Sequence, residues 1–387
     1  MGAASGVFRV AQVRSRLTRD DVISRISTNR RAGVIRAARA AIGEEIIMRQ
    51  VCRHLGFALV LATLAPLTTY AWDRGEVERF ATLPEGDANP EGITADRHGN
   101  IYATTFDPTG ANPGRLVVFD RHGELKRNVA VSPASTALLG LAFHPQSGRL
   151  LVIDFGAGVV RQVDPNTGAS SVFMSLPAGT AGAGLNALTF DKSGNVYVSD
   201  SFLGKIWKTG PGGGVASAWV THAALTTPGY PPFGANGLEF NKKGDALFVA
   251  NTGSDQVVKI PVTGGTPGTP EVFVNSVNGA DGLIIDDDDN LWICANQADE
   301  IVVLDKTGRV IAKLGDFNGI SRSGRPRGLL FPASLVRVDD WIYVTNLSLD
   351  LTKIGLPQAA DSQWAAQVTR QTISRLKAKI PPVRGSH

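Results

Sequence analysis

Residues 234–251, GANGLEFNKKGDALFVAN, decide the fold. A polar Asn236 precedes Gly237, a short apolar run follows, the chain turns at 242–244, and it returns as a second apolar run over 246–250. Two apolar runs on either side of a Gly-containing polar turn predict a β-hairpin.

Outward from this stretch the hairpin recurs. Taking the residue before each Gly or Ala as a marker, the register is Glu91, Leu139, Asn186, Asn236, Asp281 and Arg327, with steps of 48, 47, 50, 45 and 46 residues. After each marker come runs such as GLAF, ALTF, GLEF or GLII, then a polar turn, then IYATT, LLVID, VYVSD, LFVAN, LWICAN or IYVTN. Self-similarity at this period marks a propeller, in which each repeat is a small antiparallel sheet that cannot bury its faces alone. The reading is an all-β, six-bladed β-propeller of four-stranded antiparallel blades. The run VERFATL at 77–83 precedes the first complete repeat, and the last repeat lacks its final strand. An N-terminal strand in the last blade would therefore close the ring and remove two open sheet edges.

Composition agrees: 43 Gly, 21 Pro and only 7% aromatic residues suit a turn-rich β protein. The formal charge of +4 is unevenly spread. Of 39 basic and 35 acidic residues, eleven and four lie in 1–71, leaving 28 against 31 for the remainder. A nucleic-acid surface is therefore not expected on the folded part. From Met48 the chain reads MRQVCRHLGFALVLATLAPLTTYA, with Arg49 and Arg53 ahead of an apolar run and a small-residue end. These are the three parts of a secretory signal peptide, and the apolar run is too short to span a membrane. The expected organisation is an upstream or disordered extension over 1–47, a signal peptide over 48–71, the propeller over 72–380 and a tail over 381–387. The protein is then exported, periplasmic or secreted, without a stable membrane anchor. An organelle transit peptide is the competing reading of the Arg-rich start. Cys294 is the one cysteine outside this leader and reads as a small core residue.

Long loops gather on the marker face: 106–114, 176–184, 221–235, 316–327 and the insertion at 347–366, together with Phe155 and Phe202. The opposite face has only tight turns such as DRHGN, DKSGN and DDDDN. The acidic run 286–289 lacks the Gly and the bidentate Glu of a calcium loop and reads as a solvated turn. Asp154, Asp200, Asn251, Asn296 and Asn346, at the ends of second strands, read as caps for loop backbone N–H groups.

The markers carry the candidate chemistry. Glu91 and Asp281 would share the central channel, and two carboxylates about 5 Å apart repel by roughly 3 kcal/mol at an effective dielectric near 20. Repulsion of that size favours a hard divalent cation on Glu, Asp and Asn oxygens. Spacing alone leaves a merely water-filled polar channel as an equal reading.

The segments PEGI at 90–93, LNAL at 185–188, ANGL at 235–238 and ADGL at 280–283, in order and at blade spacing, resemble the senescence marker protein, regucalcin and gluconolactonase family over about residues 77–346. The resemblance implies a six-bladed propeller that hydrolyses a lactone or ester with one divalent cation: calcium first, with magnesium, manganese or zinc as alternatives. It places metal ligands at Glu91, Asn236 and Asp281, makes Asp281 the general base as well, and gives Asn186 a substrate contact. Arg327, as the sixth marker, is the candidate to orient a substrate carboxylate. Gly184 stands where sugar-lactonase members carry an Arg. No GxSxG, HExxH or His dyad offers another hydrolytic centre. The alternative from another class is a non-catalytic exported propeller that binds a small ligand or protein through its loop face.

Overall fold

The computed structural model describes residues 73–359 and 361–381. The expected extension over 1–47 and signal peptide over 48–71 lie outside the described residues, as does nearly all of the expected tail.

Six antiparallel sheets form the blades. Their innermost strands are Asn89–Ala95, Leu138–Phe143, Leu185–Phe190, Ala235–Phe240, Ala280–Ile285 and Pro332–Val338, and each touches the next around a closed ring. Each blade then steps outward through its second, third and fourth strands. In the sixth blade the order is Pro332–Val338, Trp341–Asn346, Thr372–Lys377 and then the N-terminal strand Val77–Thr82, which pairs antiparallel with Thr372–Lys377. Among the described residues no helix is long and apolar enough to cross a membrane.

The core is a set of six apolar clusters, one between each pair of neighbouring blades. Tyr197 and Ile206 of the third blade, for example, meet Leu247 and Val249 of the fourth. Second strands such as Leu291–Ala295, LWICA, are buried along their whole length because both faces are covered, which explains their unbroken apolar runs. Cys294 is one of these buried side chains.

All six innermost strands carry a register shift at the marker, between Ala235 and Leu238 in the fourth blade and between Ala280 and Leu283 in the fifth. A bulge repeated at one position re-aims the marker side chain off the ladder. The following residue must be small, because the inner strands crowd together there. A Cβ at Gly237 would lie 2.4 Å from the Asp281 carbonyl oxygen, and one at Gly282 would lie 2.5 Å from that of Ala333.

The same register corrects the sixth marker. Pro332 opposes Asn346 and Leu335 opposes Val344, as Ala235 opposes Asn251 and Leu238 opposes Val249. Ala333 therefore holds the position expected for Arg327. Arg327 is exposed on a separate short hairpin, Phe317–Ile320 with Pro326–Gly328, inserted before the sixth blade. Its Arg-Gly pair imitated the marker, whereas the true site reads Ala333-Ser334, with neither a polar marker nor a Gly after it.

Candidate functional site

Glu91, Asn186, Asn236 and Asp281, from four different blades, line one cavity of about 330 Å³ at the loop end of the channel. All four are buried, at 5–6% exposure. Arg327 is not among the lining residues.

The polar side chains are held by a second ring one residue beyond the ends of the second strands. Asn186 Nδ2 donates to Ser201 Oγ at 3.2 Å, and Asn236 Nδ2 donates to Thr252 Oγ1 at 3.0 Å. Asn296 Nδ2 donates to Asp281 Oδ2 at 2.8 Å. Ser201 and Thr252 are themselves anchored to the Ala235 and Ala280 carbonyls of the next blade. Thr345 Oγ1 donates to the Glu91 carbonyl at 2.6 Å and so fixes Glu91 from the sixth blade.

The sequence pattern predicts Asn296 as one of the strand-end caps. Ala295, opposite Ala280, holds that register position, and Asn296 lies one residue further on, in the cavity. The other four cap loop N–H groups: Asp154 accepts from Ser135 and Ala157, Asp200 from Gly184, Phe202 and Leu203, Asn346 from Leu330, and Asn251 from Ser254, while Asn251 also donates to the Ala224 and Thr226 carbonyls. Ser201 and Thr252 went unnoticed because a Ser or Thr after a strand-ending Asp or Asn is common turn chemistry.

Two carboxylate oxygens are left over. Glu91 Oε2 and Asp281 Oδ1 are buried without a hydrogen-bond partner. Burial, and then the neighbouring Asp281 charge, pushes the Glu91 carboxyl well above the usual carboxylate range. Burial likewise raises Asp281 to about 7, against hydrogen bonds from Asn296 and Asn236 that pull it down. The Cys294 thiol behind them is pushed up by burial and by both carboxylates, so it is no nucleophile.

Unpartnered buried oxygens on two like charges are costly unless a cation or protons compensate them. The donor set fits a hard divalent ion through Glu91 and Asp281 carboxylates with amide oxygen from Asn236, and it lacks the nitrogen and sulfur donors that zinc favours. Among the described residues no three His, Cys, Asp or Glu side chains gather into one cluster, so an ion here depends on amide oxygens as well as the two carboxylates.

The rest of the cavity is apolar. Phe155 and Phe202 meet edge to face with centroids 5.9 Å apart, and Phe202 meets Phe233 at 5.4 Å. A Cβ at Gly184 would lie 2.6 Å from the Phe202 ring, so that Gly makes room for the aromatic row. Opposite stand Leu347, Leu349, Leu351, Ile354 and Leu356 from the insertion after the sixth blade's second strand.

Residues 133–315 match the family model described as SMP-30/Gluconolactonase/LRE-like region. The chain thus carries a region similar to that family within a six-bladed propeller. Solved structures of similar architecture include a gluconolactonase of Xanthomonas campestris (13% identity, TM-score 0.54, covering 81% of this chain and 92% of that one). A calcium-binding protein, regucalcin, of Agrobacterium tumefaciens is similar at 17% identity and TM-score 0.53, covering 78% of this chain and 97% of that one. At these identities the likeness is one of fold. Among curated proteins, the adipocyte plasma membrane-associated protein Hemomucin of Drosophila melanogaster is 26% identical over 178 residues, 40% of this chain. The matched stretch spans only 29% of that relative's length.

Proposed function

We propose that this propeller is a divalent-cation-dependent hydrolase of a lactone or ester. What supports the reading above all is the pair of unpartnered carboxylate oxygens, Glu91 Oε2 and Asp281 Oδ1, in a cavity that four blades build together. The gluconolactonase-like region and the regucalcin-like architecture point the same way. Glu91, Asn236 and Asp281 would hold the ion, with calcium the first choice. When bound, such an ion supplies a Lewis acid for a carbonyl oxygen.

The chain's own groups supply the rest. Asn296 fixes one oxygen of Asp281 and leaves the other free, which suits Asp281 to take the proton from an attacking water. Asn186 lines the same cavity and is oriented by Ser201, placing an amide where a substrate oxygen can meet it. Arg327 has no part in this proposal, and the site has no Lys, Arg or His among its described lining residues. The leader-like 48–71 stretch supports export, which N-terminal sequencing of the mature protein tests.

The test of function is hydrolysis of a lactone and ester panel by protein stripped with a chelator and reloaded with calcium, magnesium, manganese or zinc. Ion-dependent turnover lost in Asp281→Asn is the expected result. A protein that binds the ion but leaves every lactone and ester intact would instead be a binding module.

A further inference from the structure

We infer that the site selects an uncharged lactone or ester carrying an apolar chain of medium length, and that the Leu347–Leu356 insertion together with the Phe202 row sets this choice. The inference rests on the hydrolase reading for its chemistry but on separate residues for its selectivity.

Three observations carry it. First, charge: the described lining holds two carboxylates and no cationic side chain, and Arg327 stands outside on its exposed hairpin. With a divalent ion in place the two carboxylates already balance its charge, so an anionic substrate finds no side-chain cation left to pair with it.

Second, hydrogen bonding: each cavity amide already has one N–H engaged with the protein, Asn186 on Ser201, Asn236 on Thr252 and Asn296 on Asp281, which leaves few donors for a substrate. The Thr252 hydroxyl is spent on the Ala280 carbonyl. A polyhydroxylated ring would bury hydroxyls with few partners, at a penalty that a bare alkyl chain does not meet.

Third, the walls: Phe155, Phe202 and Phe233 form a continuous aromatic row on one side. The insertion faces them with Leu349, Leu351 and Ile354, part of a satellite apolar cluster with Phe331 and Ala333. That segment is pinned at both ends. Asn89 Nδ2 donates to the Leu347 and Ser348 carbonyls at 2.6 and 3.2 Å, and the Tyr230 hydroxyl donates to the Pro357 carbonyl. The wall is therefore a fixed part of the site.

Size limits the chain. A cavity of about 330 Å³ lies at the small end of ligand sites, which suits a ligand of about the size of γ-nonalactone. Each methylene moved from water into the walls should raise kcat/KM about fourfold until the cavity is full.

The experiment compares γ-butyrolactone, γ-hexalactone, γ-nonalactone and glucono-δ-lactone as substrates of the calcium-loaded full chain, with γ-nonalactone binding followed by calorimetry in parallel. The expected result is a rise in kcat/KM along the alkyl series, glucono-δ-lactone last, and a nonalactone-to-butyrolactone ratio that falls about tenfold or more in Leu349→Gln and in Phe202→Gln. Glucono-δ-lactone hydrolysed as well as γ-nonalactone would overturn the selectivity and leave the hydrolase standing. So would an unchanged ratio in both variants when they melt and bind calcium like the parent. If nothing is hydrolysed, the hydrolase reading falls, and calorimetry still decides the cavity's preference. Saturable γ-nonalactone binding, weakened in Leu349→Gln and absent for glucono-δ-lactone, supports it, and no γ-nonalactone binding refutes it.

Discussion

Two groups of carboxylates in this propeller obey opposite rules. Asp96, Asp191 and Asp286 open the far-face turns of the first, third and fifth blades. Each accepts from backbone N–H groups two and four residues on, from an Asn side chain four residues on, and from an aromatic side chain six residues on: Tyr102, Tyr197 or Trp292. Burial pushes these carboxyls up, yet the hydrogen bonds prevail and hold all three below the usual value. Glu91 and Asp281, at the other end of the channel, have an oxygen each with no partner, and burial carries them above it. Asp286 and Asp281 are five residues apart in one blade, so neither composition nor fold explains the contrast. A satisfied carboxylate stabilises a turn; an unsatisfied pair stores a need for a cation or a proton, which is what a reactive site requires.

The sharpest way to break that contrast is to neutralise each group in turn. Glu91→Gln or Asp281→Asn should weaken divalent-ion binding by roughly a hundredfold or more and abolish ion-dependent hydrolysis, read by calorimetry and lactone turnover. Asp191→Ala should do the reverse. It should leave ion affinity intact while removing about 1–3 kcal/mol of stability through the stranded backbone and Tyr197 groups, a shift of several degrees or less in Tm for a domain of this size. An Asp191→Ala protein that loses the ion while keeping its melting temperature would erase the distinction.

The pH dependence separates the groups more finely. A carboxyl whose folded pKa is raised binds its proton more tightly in the native state, so its contribution to stability is present below the unfolded value near 3.8 and is lost as pH rises toward about 7. Chelated protein should therefore lose thermal stability between about pH 4 and 7, and Glu91, raised as well, extends the loss upward. Saturating calcium should remove the share of that decline due to Asp281 and Glu91, because the ion takes over the role of the protons, and leave the share due to Glu239, Asp299 and Asp361, whose burial also raises them. The turn carboxylates act in the opposite sense: their lowered pKa values add stability above the unfolded value that is lost only in acid. Melting curves across pH, with and without calcium, read both.

Much of this was legible in the chain. The repeat period exposed the six blades, and the small residue after each marker is there because adjacent inner strands leave no room for a Cβ at Gly237 or Gly282. Where the reading slipped, a local pattern imitated a global one. The Arg327-Gly328 pair fell near the expected period, but it belongs to an extra hairpin, and the true position is an apolar Ala333 with no polar signature. The run ICAN resembled FVAN closely enough to misplace Asn296 by one residue, and in a strand one residue is the difference between capping a loop and holding Asp281. The apolar wall is half visible in the sequence: the loops stand out, while the alternating Leu347, Leu349 and Leu351 of LSLDL acquire meaning only because the insertion lines the same cavity as Phe202.

Calcium titration of the chelated full chain at pH 7.5 tests the central claim most directly. One ion should bind per chain, with binding lost in Asp281→Asn and kept in Asp191→Ala. If neither calcium, magnesium, manganese nor zinc produces heat or raises the melting temperature, the two unpartnered oxygens do not form a cation site and the account is contradicted.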